Sequence, residues 1–472
     1  MESLSNYKIN PEAIKMLPAR FVNRYKLFPV DVTVETLTLA TPQPPDMQTI
    51  NEIGLLLSKK IKLIILSSHE IEESIKKYYG LGTIESIVSD TTPIITEEAD
   101  TEGLSSLSNE APVIKLVNAI IREAVEKKAS DIHLEPYEKS IVLRYRIDGV
   151  LYDISSPHLH LYPAIVSRIK IMAQLDIAEK RLPQDGRIQV KIHNHDIDLR
   201  VSTLPTIYGE CVSIRVLDKG EMFLDMETVG FSDVILDKYR QLIHRSNGII
   251  LVTGPTGSGK TTTLYASLSR INSSEKKIIT IEDPVEYNLQ RISQIQIKPE
   301  IGLTFASGLR SILRHNPDIL MVGEIRDKET AEVAIQSALT GHLVLSTMHT
   351  NDSATAIARL QDMGIEDFLI SSTLIGVLAQ RLVRTICSNC KGAGCKECNS
   401  TGFRGRTGIF ELLPVSPRIK RLIADRVDNS RIKAAAIEEG MVTLLEQGEE
   451  KIATGITTRE EVLRVIQEAE DY

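Results

Sequence analysis

Four apolar runs mark the second half of the chain: GIILVTG at 248–254, KIITIED at 277–283, PDILMVGE at 317–324 and HLVLSTMH at 342–349. Such runs predict buried, largely parallel strands, and the stretches between them are long enough for helices. Strands alternating with helices predict an α/β nucleotide-binding core over 225–472, with chemistry at the carboxyl ends of the strands. Upstream the pattern changes. From Ala111 an amphipathic stripe of Val113, Leu116, Val117, Ile120, Ile121 and Val125 predicts a helix, with Pro112 near its first turn. IVLRYRIDGVLYDI then alternates around Asp148-Gly149, a two-residue hairpin signal, and RIQVKIHNHDIDLRVS repeats the alternation around a polar tip. Helices with antiparallel strands predict a second, α+β domain over 111–222.

Residues 1–82 mix short apolar runs, Leu37–Ala40 and Ile61–Leu66, with helical spacing at Ile71, Ile75 and Tyr78, which fits a small α/β domain. Between these two domains, 83–110 reads as a linker. Its portion from Thr91 to Glu110 is acidic, rich in Ser and Thr, and carries hardly any large apolar residue after Ile95. A length of 472 residues agrees with about three cores. The 42% apolar and 25% charged composition is that of an ordinary globular protein. No apolar run reaches the ~18 residues of a spanning helix, and Met1 to Asn10 lacks the blocks of a signal peptide, so a cytoplasmic location is expected. A net charge of −8 supplies no overall field for nucleic acid, and no nucleic-acid partner is expected.

The run at 248–254 leads straight into GPTGSGKTT, which matches the phosphate-loop pattern in its required context of strand, loop and helix. The loop is Gly254, Pro255, Thr256, Gly257, Ser258, Gly259, Lys260, Thr261 and Thr262. Its glycines let the backbone turn N–H groups toward phosphate oxygens at a helix N-terminus. Lys260 suits the β- and γ-phosphates of ATP, and the Thr261 hydroxyl suits Mg²⁺. Hydrolysis needs a further carboxylate to order the metal and polarise water. Two groups stand at strand ends: Glu282-Asp283 with Glu286, and Glu324. Either taken alone also fits an ordinary helix-capping acid.

Of five cysteines, four fall in CSNCKGAGCKEC: Cys387, Cys390, Cys395 and Cys398. Two C-x-x-C pairs joined by a glycine-containing loop can surround one Zn²⁺ tetrahedrally, and a closed Cys₄ site is structural because no position is left for water. Reduced, unliganded cysteines or an iron–sulfur centre are the other readings. Cys211 sits in an alternating strand pattern and reads as a small core residue. The pairs His193/His195 and His158/His160 lie in polar turns without a third clustered ligand and read as solvated loops.

In order along the chain, these motifs resemble those of the secretion and pilus-assembly ATPases, especially the type II secretion and type IV pilus extension members. GPTGSGKTT looks like their Walker A loop, ITIEDPVEY their aspartate box, LRHNPDILMVGEIRD their Walker B region and TGHLVLSTMHTN their histidine box. SDIHLEP, RIDG, RLPQDGRI, DLRVSTLPTIYGE and FRGRTGIFELL also look like family signatures, so some three hundred residues are covered. The resemblance implies a RecA-like P-loop core. It makes Glu324 the catalytic carboxylate and puts Glu282 and Asp283 beside Mg²⁺ and the γ-phosphate. His349 becomes a γ-phosphate sensor, and His342 a supporting member of its box. Arg187 and Arg200 stand in motifs whose arginines reach the nucleotide in the family, although each also fits a surface charge. A homo-hexameric ring is implied. LPARFVNRYKLFPV followed by LTLATPQPPD looks like the module that docks on an inner-membrane secretion platform, giving peripheral membrane association through partners. Many secretion ATPases separate their cysteine pairs by a longer insertion than this chain has. The expected function is an ATPase motor driving pseudopilus assembly in type II secretion, with a type IV pilus extension or DNA-uptake ATPase as the near alternative. A nucleotide-gated scaffold and a DNA-translocating ring are more distant ones.

Overall fold

A computed structural model describes residues 111–193, 195–218 and 225–467, together with 25–33, 36–45, 59–71 and single positions elsewhere between 10 and 74. The linker at 83–110, and Ile75 and Tyr78 of the first domain, lie outside the described residues. The chain divides into two compact units, 1–220 and 221–472.

The first unit contains two sheets. Strands β1 (Phe28–Val32), β2 (Thr36–Thr41) and β3 (Lys60–Ile65) form a three-stranded sheet in that order, β1 antiparallel and β3 parallel to β2. Phe28, Val30, Leu37 and Leu39 bury their side chains from it. Helix α1 (Ala111–Glu126) precedes β4 (Ala129–Pro136), β5 (Ile141–Ile147) and β6 (Val150–Ile154). Helix α2 (Tyr162–Met172), β7 (Gln184–Ile192), β8 (His195–Thr206) and β9 (Gly209–Asp218) follow. The strands make an antiparallel sheet in the order β6-β5-β4-β9-β8-β7. The Asp148-Gly149 signal forms a hairpin joining β5 to β6, with φ of 49° and 88° at the two turn residues. The stripe read in the sequence faces inward. Leu116, Val117, Ile120 and Ile121 of α1 pack with Ile132, Leu134, Leu143 and Tyr145 of the sheet, and each large side chain so buried contributes roughly 1.5–3 kcal/mol. The Tyr145 hydroxyl is satisfied there by donating to Ile120 O at 2.8 Å.

The second unit alternates helix and strand as its apolar runs predict. Its first half comprises α3 (Asp233–Ile243), β10 (Gly248–Thr253), α4 (Lys260–Ile271), β11 (Ile278–Glu282), β12 (Ile292–Gln296) and α5 (Phe305–Ile312). Next come β13 (Ile319–Val322), α6 (Lys328–Leu339), β14 (Leu343–Met348), α7 (Ser353–Asp362) and α8 (Asp367–Thr373). Two long strands, β15 (Leu374–Ile386) and β16 (Phe403–Pro414), lead to four helices, α9 (Pro417–Ala424), α10 (Asn429–Glu438), α11 (Leu444–Ala453) and α12 (Arg459–Gln467). The sheet order is β12-β11-β13-β14-β10-β15-β16, parallel throughout except for β16. Both faces are covered, which explains the unbroken hydrophobicity of β10. Ile249 and Leu251 enter a core with α5, α6 and α7, while Ile250 and Val252 enter another with α3 and α4. This is the doubly covered sheet of a RecA-like core, and among the described residues no helix is long and apolar enough to cross a membrane.

Candidate functional site

The carboxyl end of the central strand β10 opens into the loop Gly254–Gly259, and the chain enters α4 at Lys260. Three of the loop's residues require glycine backbone: φ is 150° at Gly254, 81° at Gly257 and 85° at Gly259. Crowding matters as well. A Cβ on Gly254 would stand 2.5 Å from Gln380 O and 2.6 Å from Ser258 Oγ. The loop thus wraps the N-terminus of a twelve-residue helix, the geometry that presents backbone N–H groups to phosphate. Lys260 is only 9% exposed, and its ammonium reaches back to donate to Gly254 O at 2.7 Å and Pro255 O at 2.9 Å. Burial pushes its pKa down to about 8, with Glu324 opposing and Arg381 assisting the shift. Thr261 and Thr262 are exposed at the mouth of the loop.

Neighbouring strand ends supply the other groups. On the flank, Thr253 and Thr350 share a hydroxyl contact of 2.5 Å, and Thr350 N donates to Thr253 Oγ1 at 2.9 Å, which fixes the segment after β14 against the root of the loop. That segment carries His349, whose Nε2 lies 3.5 Å from Glu324 Oε2. Glu324 follows β13, is 12% exposed at its side chain, and also pairs with Arg326. Burial lowers the His349 pKa, and Lys260 adds to this while Glu324 opposes it. Lys260, Glu324, His349 and Arg326 therefore form one electrostatic cluster.

Glu282 closes β11 and is 3% exposed. Its carboxylate accepts from the Tyr265 hydroxyl, from Thr280 Oγ1 at 2.5 Å and from Gln294 Nε2 at 3.1 Å. Three donors hold this buried anion, so Glu282 anchors α4 to the sheet through Tyr265. Asp283 is exposed just beyond it, and the Glu286 N–H donates to Tyr265 Oη at 3.3 Å.

The histidine box is not assembled at one place. His342 precedes β14, its Nδ1 is 2.8 Å from Ser337 O, and its carbonyl accepts from Gly248 N at 3.1 Å. Gly248 begins β10 and the phosphate loop follows its end, so the six residues of β14 separate His342 from the loop by about 20 Å. The expectation that His342 supports the nucleotide site together with His349 is therefore corrected: a strand has two ends, and His349 takes the near one. Arg187 and Arg200 belong to the first unit, where they face each other across β7 and β8, and Arg215 of β9 is next in the same row. The row lies on the face opposite the core that holds Ile188 and Leu199.

At the far end of β15 and β16, residues 387–402 bring four thiols together. Their sulfur atoms lie within 4.8 Å of one another, with Cys387–Cys395 at 3.9 Å and both Cys390–Cys398 and Cys395–Cys398 at 3.7 Å. A tetrahedral zinc with Zn–S bonds of 2.3 Å requires edges of about 3.8 Å, so this donor set fits one such ion. Two backbone donors, Cys395 N at 3.1 Å and Gly402 N at 3.3 Å, point at Cys398 Sγ. Against the opposing effect of burial they hold that thiol at about 6, in the range where a thiolate ligand is available at neutral pH. Close approach of Gly402 to Gly392 O, 2.5 Å from where a Cβ would stand, brings the two halves of the arm together.

Over residues 106–464 the sequence matches the model of the family described as type II/IV secretion system protein, and over 1–85 that of the MshEN domain. The chain belongs to the type II/IV secretion system family. Within that family, the type II secretion system protein HxcR of Pseudomonas aeruginosa is 52% identical over 388 residues, 80% of this chain and 81% of that protein. The type IV pilus assembly ATPase PilB of Myxococcus xanthus is 42% identical over 496 residues, 98% of this chain and 88% of that protein. The solved structure of the pilus retraction motor PilT with bound ADP covers 75% of this chain and 98% of its own, with a TM-score of 0.54 and 28% identity.

Reading the motifs of this family member did not single out Tyr265, Arg326, Gln380 or Arg381. Arg326 sits two residues past Glu324 in GEIRD, so its partner was legible from spacing. Gln380 and Arg381 reach the site through the pairing of β15 with β10, and Tyr265 of α4 through its hydroxyl contact with Glu282 at the end of β11.

Proposed function

We propose that this chain is the ATP-hydrolysing motor of a type II secretion system. The observation that carries the reading is the convergence of Lys260, Glu324 and His349 at the carboxyl ends of β10, β13 and β14. In this reading ATP lays its phosphates along Gly254–Thr262 and draws Lys260 from the loop carbonyls onto the β- and γ-phosphates. Thr261, with Asp283 and Glu282 at and just beyond the end of β11, would hold Mg²⁺ by hard oxygen ligands of the kind it prefers. Bound Mg²⁺ supplies charge neutralisation at the phosphates. Glu324 orients the attacking water, His349 senses the γ-phosphate, and Arg187 and Arg200 of the second domain supply positive charge as phosphoryl transfer spreads negative charge over oxygens.

The organisation proposed is a partner-docking domain at 1–82, a linker at 83–110, the α+β domain at 111–222 and the motor at 225–472. The motor works as a homo-hexamer at the inner face of the inner membrane, held there by platform proteins, and the four thiols bind structural zinc. The match of 1–85 to the MshEN domain supports a distinct N-terminal module. The 52% identity to HxcR over 80% of the chain supports the secretion reading. Glu324→Gln tests the chemistry. It should lower kcat by about 10²–10³-fold with nucleotide affinity preserved, because it removes a group acting in the transition state. Normal turnover by the purified variant would refute the assignment.

A further inference from the structure

Beneath the phosphate loop run two residues that the reading above leaves unused. Gln380 and Arg381 follow Ala379, which pairs with Thr253 at the end of β10. They are 0% and 2% exposed. Successive residues of a strand point to opposite faces, so the pair straddles the loop. On one side Gln380 Oε1 accepts from Thr263 Oγ1 at 2.8 Å, and Gln380 Nε2 lies 2.8 Å from where a Cβ on Gly259 would stand. Gly259 and Thr263 bracket Lys260 and Thr261 in the first turn of α4. On the other side Arg381 Nη2 donates to Asn351 O at 2.7 Å, two residues after His349. Its Nη1 donates to Gln380 O at 3.0 Å and lies 3.1 Å from the Cβ position of Gly254.

The floor also carries polar atoms that the resting arrangement leaves unpaired. Among the described residues, Gln380 Nε2 and Ser258 Oγ are buried without a hydrogen-bond partner. Buried polar atoms are nearly always paired, and an orphan beside a functional loop marks an arrangement not at its optimum. Lys260 meanwhile occupies the carbonyls of Gly254 and Pro255, which phosphate would make it leave. The loop is thus set for rearrangement against a floor that holds unused donors.

We propose that Gln380 and Arg381 are positioning residues for phosphoryl transfer: Gln380 holds the turn that carries Lys260 and Thr261, and Arg381 couples the first glycine of the loop to the segment bearing His349. This rests on the reading of Gly254–Thr262 as the ATP phosphate site. Full-length Gln380→Met, Thr263→Val, their double variant, Arg381→Lys and Lys260→Ala are compared by nucleotide-free Tm, by affinity for ATP and ADP, and by steady-state kinetics. Gln380→Met and Thr263→Val should each weaken ATP and ADP by about tenfold with Tm lowered by only a few degrees, and the double variant should be no worse than either single one, since both cut one buried hydrogen bond. Arg381→Lys should keep ADP affinity and KM while lowering kcat by about tenfold, because it loosens alignment and not binding. Additive losses in the double variant, or lowered Tm with normal affinities and kinetics in all three singles, would overturn the proposal. Should Gln380→Met fail to fold, Thr263→Val decides alone by its affinity. If Lys260→Ala binds ATP normally the underlying site reading falls. If it loses ATP while the other variants behave as wild type, only the positioning roles fall.

Discussion

Raising the pH should weaken nucleotide binding well before any ordinary lysine titrates. The Lys260 ammonium is buried, donates to two carbonyls, and is held at about 8 chiefly by desolvation. Polyphosphate binds the charged form. With a pKa of about 8 the charged fraction falls from about three quarters at pH 7.5 to about one tenth at pH 9, so affinity should fall about eightfold across that interval. A lysine at its usual 10.5 would give almost no change. Stability has the opposite sign. Between about 8 and 10.5 the unfolded chain binds more protons at this position than the folded one, so the nucleotide-free protein gains stability as pH rises, by up to about 3 kcal/mol. Titration of a fluorescent ATP analogue at constant ionic strength and Mg²⁺ reads the affinity, and denaturant unfolding reads the stability. Lys260→Arg, charged throughout, should flatten the affinity profile. A wild-type profile that is already flat from pH 7.5 to 9 would refute the argument from burial.

Two further substitutions examine the framework. Tyr265→Phe removes the hydroxyl that α4 offers to buried Glu282 and should destabilise the motor by about 1–3 kcal/mol, read as a shift in the urea midpoint; an unchanged midpoint would mean the hydrogen bond does not anchor the helix. Cys390→Ser should abolish bound zinc, measured as metal per chain by elemental analysis, and open the arm to limited proteolysis while ATP affinity is retained. Full zinc retention would exclude the four-thiol site.

Local chemistry was legible before the structure. The phosphate loop, the Asp148-Gly149 hairpin and the cysteine pairs depend on residues within a few positions of one another, and in each case the backbone follows the residue types. Long-range pairing was not. LIGVLAQRLVR reads as one more apolar strand, and nothing in it announces that β15 will lie beside β10 and put Gln380 and Arg381 under the loop. His342 failed for a related reason. Six residues separate it from His349 in sequence, which looks close, yet in extended chain that spacing spans the length of the strand. Tyr265 hides within a helix whose glycine-rich start draws the attention, and its partner Glu282 lies two strands beyond β14 in the sheet.

The long strand β15 also carries a break. Its pairing with β16 shifts register between Arg384 and Ile386, the mark of a bulge. Just before it, Arg384 is clamped by Glu461 of α12, through Nη2 at 2.8 Å and its own N–H at 3.2 Å, while Thr457 Oγ1 donates to its carbonyl at 2.8 Å. Just after it, Ile386 N donates to Ile456 O at 2.8 Å. The root of the thiol-bearing arm is thus tied to the C-terminal helices on both sides of Thr385, so a displacement of the arm must break these bonds before it shifts β15 at Gln380.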